Sequence, residues 1–133
     1  MRRDGKLVED ISELAGLSRT NGWMAFAMSM MMFSLAGIPP LAGFWAKWYV
    51  FLAAINAKLY VLAVIGVLTS VVGAYYYLRL VKVMYFDEPK PAFEKSDLGV
   101  RTVLLVSAIF VLVLSLVPAP LFDSAAAAAK SLF

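Results

Sequence analysis

The sequence predicts an all-α membrane protein with three transmembrane spans, the first a discontinuous helix broken at residues 37–40, and three observations carry that reading. Apolar residues make up 62% of the chain and charged residues 16%, with a mean hydropathy of +0.82, whereas soluble domains are about 45–50% apolar and about 25% charged. Uncharged runs at residues 20–46, 59–78 and 102–122 each reach the length a spanning helix needs. Finally, Lys47 is the only charge between Arg19 and Lys58, and it follows a Gly37-Ile38-Pro39-Pro40 interruption in an apolar stretch.

The polar leader Arg2-Arg3-Asp4-Gly5-Lys6 lacks the apolar h-region of a signal peptide, so Met1 reads as an internal methionine and the chain as part of a longer protein. Residues 8–17 place Val8, Ile11, Leu14 and Leu17 at steps of three, opposite Glu9, Asp10 and Glu13, which predicts a short amphipathic helix ended by Gly16. Its expected place is at the headgroups or on a neighbouring segment.

Thr20 or Asn21 can cap the next helix, over residues 23–36. Gly37, Pro39 and Pro40 then interrupt the hydrogen-bond ladder, and a second half-helix is predicted over residues 41–56 with Pro40 at its first turn. A helix from Leu59 to about Tyr85 follows, with Gly66 and Gly73 available for close approach of neighbours. The Asp-, Glu-, Lys- and Pro-rich stretch after it is a solvated loop, and the last span stops at Pro118-Ala119-Pro120. Asp123-Ser124 could cap an alanine-rich tail helix over residues 125–129. The predicted organisation is a leader over 1–19, a discontinuous span over 20–57, a span over 58–85, a loop over 86–100, a span over 101–119 and a tail over 120–133.

Basic residues set the orientation. Arg2, Arg3, Lys6, Arg19, Arg79, Lys82, Lys90, Lys95 and Arg101 fall on one side, and only Lys58 and Lys130 on the other. By the positive-inside rule the leader and long loop are cytoplasmic and the C-terminus faces the opposite compartment. The net charge of +3 is thereby accounted for by the lipid bilayer and requires no nucleic acid.

Chemistry concentrates at the break. A charge in lipid costs roughly 2.5–3.5 kcal/mol on insertion scales and faces protein or water, and unwound backbone at membrane depth needs partners for its N–H and C=O groups. Lys47 lies roughly 10 Å beyond the start of the second half-helix and about 13 Å before the turn at Asn56, too deep to snorkel comfortably. One reading pairs it structurally with a carboxylate of another segment. The other uses the ease with which a lysine held away from water gives up its proton, so that a neighbouring charge drives the proton on or off. Gly37, Pro39, Pro40 and Gly43 shape the break, and Ser34 and Ser70 are candidates for lining a water wire, although intramembrane hydroxyls commonly bond a backbone carbonyl or a neighbouring helix. Ser29, Thr69, Ser107 and Ser115 are further hydroxyls of that kind, and the Met28, Met30, Met31 and Met32 cluster reads as adaptable packing. With no cysteine and no histidine, haem, iron–sulfur and zinc roles lack their commonest ligands. No phosphate-binding glycine loop and no nucleophile–histidine pair is present.

The run from Met32 to Val50, with its LAGIPPLAGF-x-x-K core, resembles the antiporter-like, proton-translocating membrane subunits of respiratory complex I, the NADH-quinone oxidoreductase. The Tyr75-Tyr76-Tyr77-Leu78-Arg79 run, the acidic loop after Tyr85 and the leader fit the same family. The resemblance implies the C-terminal part of a fourteen-helix subunit of the bacterial inner membrane, with a periplasmic C-terminus and the other membrane-arm subunits as partners. It implies that Lys47 belongs to a proton relay whose other lysines and glutamate lie outside this chain. NADH, FMN, iron–sulfur clusters and quinone would belong to the parent complex, so that the chain is part of an enzyme without carrying a redox centre. A subunit of a multi-subunit sodium/proton antiporter shares the broken-helix core, and a purely structural membrane subunit, whose break serves packing alone, remains the third alternative.

Overall fold

In the computed structural model the described residues are 2–3, 6–94 and 97–131. Met1, Asp4, Gly5 and Lys95, used above for the leader and for orientation, lie outside them, as do the side chains of Arg2, Arg3 and Lys6. A short antiparallel ladder pairs Arg2–Arg3 with Lys6–Leu7, and the rest of the secondary structure is helical. A 3-10 turn at Ile11–Leu14 leads to α1 (Leu17–Thr20), α2 (Gly22–Ala36), α3 (Ala42–Asn56), α4 (Tyr60–Phe86), α5 (Leu98–Leu116) and α6 (Ala119–Lys130).

Helices α4 and α5 are long and apolar enough to cross a membrane, and α2 is a shorter apolar helix. At 1.5 Å per residue, the 27-residue α4 is about 40 Å long, and α2 and α3, at 15 residues each, are about 22 Å. Both lie along α4. The start of α2 meets its end, where Met24 and Ala25 pack with Met84 and with Leu17 of α1 in a buried cluster. The far half of α3 meets its beginning, where Phe51 sits so close to Gly66 that a Cβ there would lie 2.7 Å from its ring. The glycine therefore serves the close approach expected of it. At Gly73 the nearest atom of this chain that a Cβ would meet is Tyr77 of the same helix at 4.0 Å.

Asn21 caps α2 as its sequence position suggests, its side chain accepting from the Met24 N–H at 3.3 Å. Other boundaries depart from the sequence reading for identifiable reasons. The amphipathic helix over residues 8–17 is instead a 3-10 turn and a single α turn, divided at Ala15 and Gly16. Here tertiary hydrogen bonds outcompete helical ones. The Gly16 N–H donates to the Val83 carbonyl at 3.1 Å and the Lys90 N–H to the Ala15 carbonyl at 3.2 Å. Gly16 takes φ +62, a left-handed conformation that a side chain disfavours. The Lys90 ammonium adds an ion pair to Glu13 at 2.7 Å. The leader is thus tied to the end of α4 and to the loop that follows.

Helix α3 starts at Ala42, one residue after the predicted start and with Pro40 outside its first turn, since the Leu41 N–H closes a turn onto the Ile38 carbonyl at 3.0 Å and Leu41 stays extended as the N-cap. Helix α5 begins one turn earlier than expected, behind Asp97, whose carbonyl accepts the Arg101 N–H at 3.1 Å. It ends two residues before Pro118, because the residue preceding a proline is pushed from the α region. Pro118 and Pro120 then occupy the cap and first turn of α6, where a missing N–H costs nothing. Asp123 and Ser124 are consequently inside that helix rather than capping it, with the Ser124 hydroxyl donating to the Pro120 carbonyl at 2.7 Å.

Two outcomes follow for the leader. Gly16→Ala would force a Cβ onto Pro89 at a positive φ, and we expect a loss of about 1–3 kcal/mol, read as a lower unfolding midpoint of the detergent-solubilised protein. The Asp10 carboxyl is held below the usual carboxylate range, first by the Ser12 N–H it accepts, then by the Ser12 hydroxyl, with Lys90 a smaller contribution. A carboxyl whose pKa falls on folding stabilises the fold above its unfolded value and loses that contribution as pH falls through the folded one. The Ser12 amide resonance should therefore titrate on the acid side of a free aspartate, and this titration should vanish in Asp10→Asn.

Candidate functional site at the helix break

A helix end leaves four carbonyls, and a helix start four N–H groups, without intrahelical partners. Between α2 and α3 these eight groups face each other across five residues, in the stretch where the sequence places its isolated lysine. The structure supplies a protein partner to every one of them.

At the end of α2, Gly37 adopts φ +84, which turns its N–H onto the Ser34 carbonyl at 3.0 Å and the Ile38 N–H onto the Phe33 carbonyl at 3.1 Å. This is a Schellman motif, for which glycine is the favoured residue. It leaves the carbonyls of Leu35 and Ala36. Lys47, from α3, takes both: its Nζ donates to the Leu35 and Ala36 carbonyls at 3.0 Å each. The half-buried ammonium thereby sits at the negative end of the α2 dipole. Gly37 has a second reason to be glycine, since a Cβ there would lie 2.9 Å from Lys47 Cδ and 3.2 Å from its Nζ.

At the start of α3, the Leu41 and Phe44 N–H groups bond the carbonyls of Ile38 and Leu41, each at 3.0 Å. The remaining two are met by buried serines. The Gly43 N–H donates to Ser34 Oγ of α2 at 3.1 Å, and the Ala42 N–H to Ser115 Oγ of α5 at 2.9 Å. Gly43 is pressed so closely on α2 that a Cβ would run into the Ser34 carbonyl oxygen. Gly43 and Lys47 are four residues apart and share the face of α3 turned to that helix end.

Among the sequence-predicted residues, the structure unites Gly37, Gly43, Ser34 and Lys47. Pro39 and Pro40 form the exposed turn between the helices. Ser70 bonds the Gly66 carbonyl of its own helix at 2.8 Å, the common use of an intramembrane hydroxyl. The carboxylate suggested as a structural partner of Lys47 has no counterpart among the described residues, and backbone carbonyls take its place. Ser115 was one hydroxyl among six in the sequence. Nothing local marked it, because its partner lies 73 residues away. Trp45 Nε1 is also buried here without a hydrogen-bond partner among the described residues. No group of three or more acidic, histidine or cysteine side chains able to hold a metal is found among the described residues.

Comparison with known proteins agrees with the residues that drew attention. Residues 1–73 match the family described as NADH:quinone oxidoreductase/Mrp antiporter, TM, and the chain belongs to that family. Over its whole length it is 61% identical to NADH-quinone oxidoreductase subunit N of Methylobacterium nodulans and 62% identical to that of Beijerinckia indica. It spans 28% of the length of each of these relatives. Among solved structures, a chain of respiratory complex I from Thermus thermophilus with bound aureothin superposes with a TM-score of 0.74 at 33% identity, over 82% of this chain and 26% of that one. The resemblance drawn from the LAGIPPLAGF-x-x-K core therefore holds.

The packing of the break makes a specific prediction. Gly43→Ala should lower stability by about 1–3 kcal/mol, as expected of overpacking against backbone, and Gly37→Ala should do so through its positive φ. Gly22→Ala, at a position where a Cβ meets nothing within 4 Å, should leave the unfolding midpoint within the scatter of the wild type.

Proposed function

We propose that this chain is a segment of a proton-translocating membrane subunit of an NADH:quinone oxidoreductase, and that Lys47 is a protonatable station within it. The observation that carries the reading is the ammonium held on two carbonyls at a helix break in an apolar stretch. An ionisable group there is expensive to keep and marks an ion or proton pathway more often than a packing role, and transporters place such sites at discontinuous helices. The relatives named subunit N support the choice of complex I over a sodium/proton antiporter, which the family description also covers.

In this reading α2 and α3 together make one discontinuous span. Their combined length of about 45 Å is close to the roughly 40 Å of α4 along which both pack. The segment then has three spans, with the leader on the cytoplasmic side and the C-terminus on the periplasmic side of a bacterial inner membrane, as the distribution of basic residues directs. Electron transfer from NADH to quinone, with its FMN and iron–sulfur chemistry, takes place in other subunits of the parent complex, and the membrane-arm subunits are the partners of this one. The role of the chain is to hold a proton at Lys47 Nζ and release it when the charge of a neighbouring station changes. Charged, the amine completes the C-terminal end of α2. When it gives up its proton, the charge facing the dipole is lost and its hydrogen bonds to Leu35 and Ala36 weaken. Proton occupancy and the order of the break are thus coupled. Ser34 joins the two halves beside this site.

Lys47→Met in the full-length subunit of the assembled complex tests the assignment. We expect proton pumping into reconstituted vesicles to fall about tenfold or more, with normal assembly and with Lys47→Arg retaining the charge but not the titration. Undiminished pumping by Lys47→Met would leave the break a packing device.

A further inference from the structure

We propose that Ser115 is a positioning residue for Lys47, through which α5 sets the geometry of the ammonium site; the proposal rests on the relay reading of Lys47. The Ser115 side chain is buried, at 6% exposure, and works in two directions. Its hydroxyl donates to the Val111 carbonyl at 2.6 Å within α5 and accepts the Ala42 N–H at 2.9 Å from the start of α3. The other helical hydroxyls with such bonds among the described residues, Thr20, Ser29, Thr69, Ser70, Thr102 and Ser124, have only bonds to carbonyls of their own helix. Ser115 and Ser34 alone among these described side chains receive an N–H from another helix.

The Ala42 N–H opens α3, and Lys47 follows within a turn and a half on a rigid helix. Displacement of that amide is therefore transmitted to the lysine, whose two bonds are both at 3.0 Å and weaken with small shifts. Gly43 and Ser34 cannot hold this position by themselves. They tie α3 to α2, the partner against which Lys47 must be aligned, whereas Ser115 ties it to a third helix and so fixes the pair. The corner after α5 grips α3 a second time, where Phe122 of α6 packs on Tyr49 with ring centroids 4.3 Å apart. Ser115 and Phe122 flank the Val117-Pro118 turn. Movement at that corner would reach α3 on either side of Lys47.

The test uses the full-length subunit in the assembled complex, with Ser115→Ala, Ser115→Thr and Lys47→Met made in parallel. Removing the hydroxyl leaves a half-buried N–H unpaired, so hydrogen exchange of the peptide containing Ala42 should accelerate about tenfold or more in Ser115→Ala. Its pumping should fall, with the pH profile displaced from that of the wild type. Ser115→Thr, which keeps the hydroxyl, should restore both. An unaltered pH profile in Ser115→Ala, or an equal defect in Ser115→Thr, would overturn the positioning role. Normal pumping by Lys47→Met would instead overturn the relay reading, so the two failures are distinguishable. Should Ser115→Ala not assemble, Phe122→Ala provides the second route: a displaced pH profile supports the corner as the positioning element, and an unchanged one overturns it.

Discussion

The structure depends on satisfying backbone polar groups where a helix stops inside an apolar stretch. A backbone polar group left unpaired away from water costs several kcal/mol, so a break in an apolar stretch survives only if the protein supplies partners for both ends. Here the carbonyl end is closed by two turn N–H groups and the Lys47 ammonium, and the N–H end by two turn carbonyls and two serine hydroxyls. The ammonium is therefore no isolated charge awaiting a partner. It completes a helix terminus, and the same geometry that satisfies the break holds a lysine within an apolar stretch.

That arrangement explains why the residues around it are small or special. Gly37 must adopt a left-handed conformation and leave room for the lysine, while Gly43 must let α3 meet the Ser34 carbonyl. At the opposite end of α2 a different mechanism holds the fold. There the leader is bound by backbone hydrogen bonds and an ion pair to the end of α4 and its loop, above a buried cluster of Leu17, Met24, Ala25 and Met84. Helix α2 is consequently fixed at both ends, by packing at one and by polar contacts at the other.

Much of this was legible in the sequence because it is local. The Gly-Ile-Pro-Pro interruption, the Asn21 cap, the long apolar runs and the isolated Lys47 each announce themselves within a few residues. What could not be read depends on distant partners. The amphipathic spacing of residues 8–17 predicted one helix, but bonds from Ala15 and Gly16 to Lys90 and Val83 divide it. One reading of the lysine paired it with a carboxylate, and it instead meets carbonyls three and four residues before Pro39, a choice set by how α3 folds back on α2. Ser115 could not be distinguished from five similar hydroxyls until α5 was seen to end beside the start of α3.

The account stands on the contact between the Lys47 ammonium and the last carbonyls of α2. Solid-state NMR on the full-length subunit in lipid, with 15N at lysine Nζ and 13C at the Leu35 and Ala36 carbonyls, measures it directly. The account predicts dipolar dephasing from both carbonyls at hydrogen-bonding range, in keeping with the 3.0 Å separations. Absence of dephasing from both would contradict it.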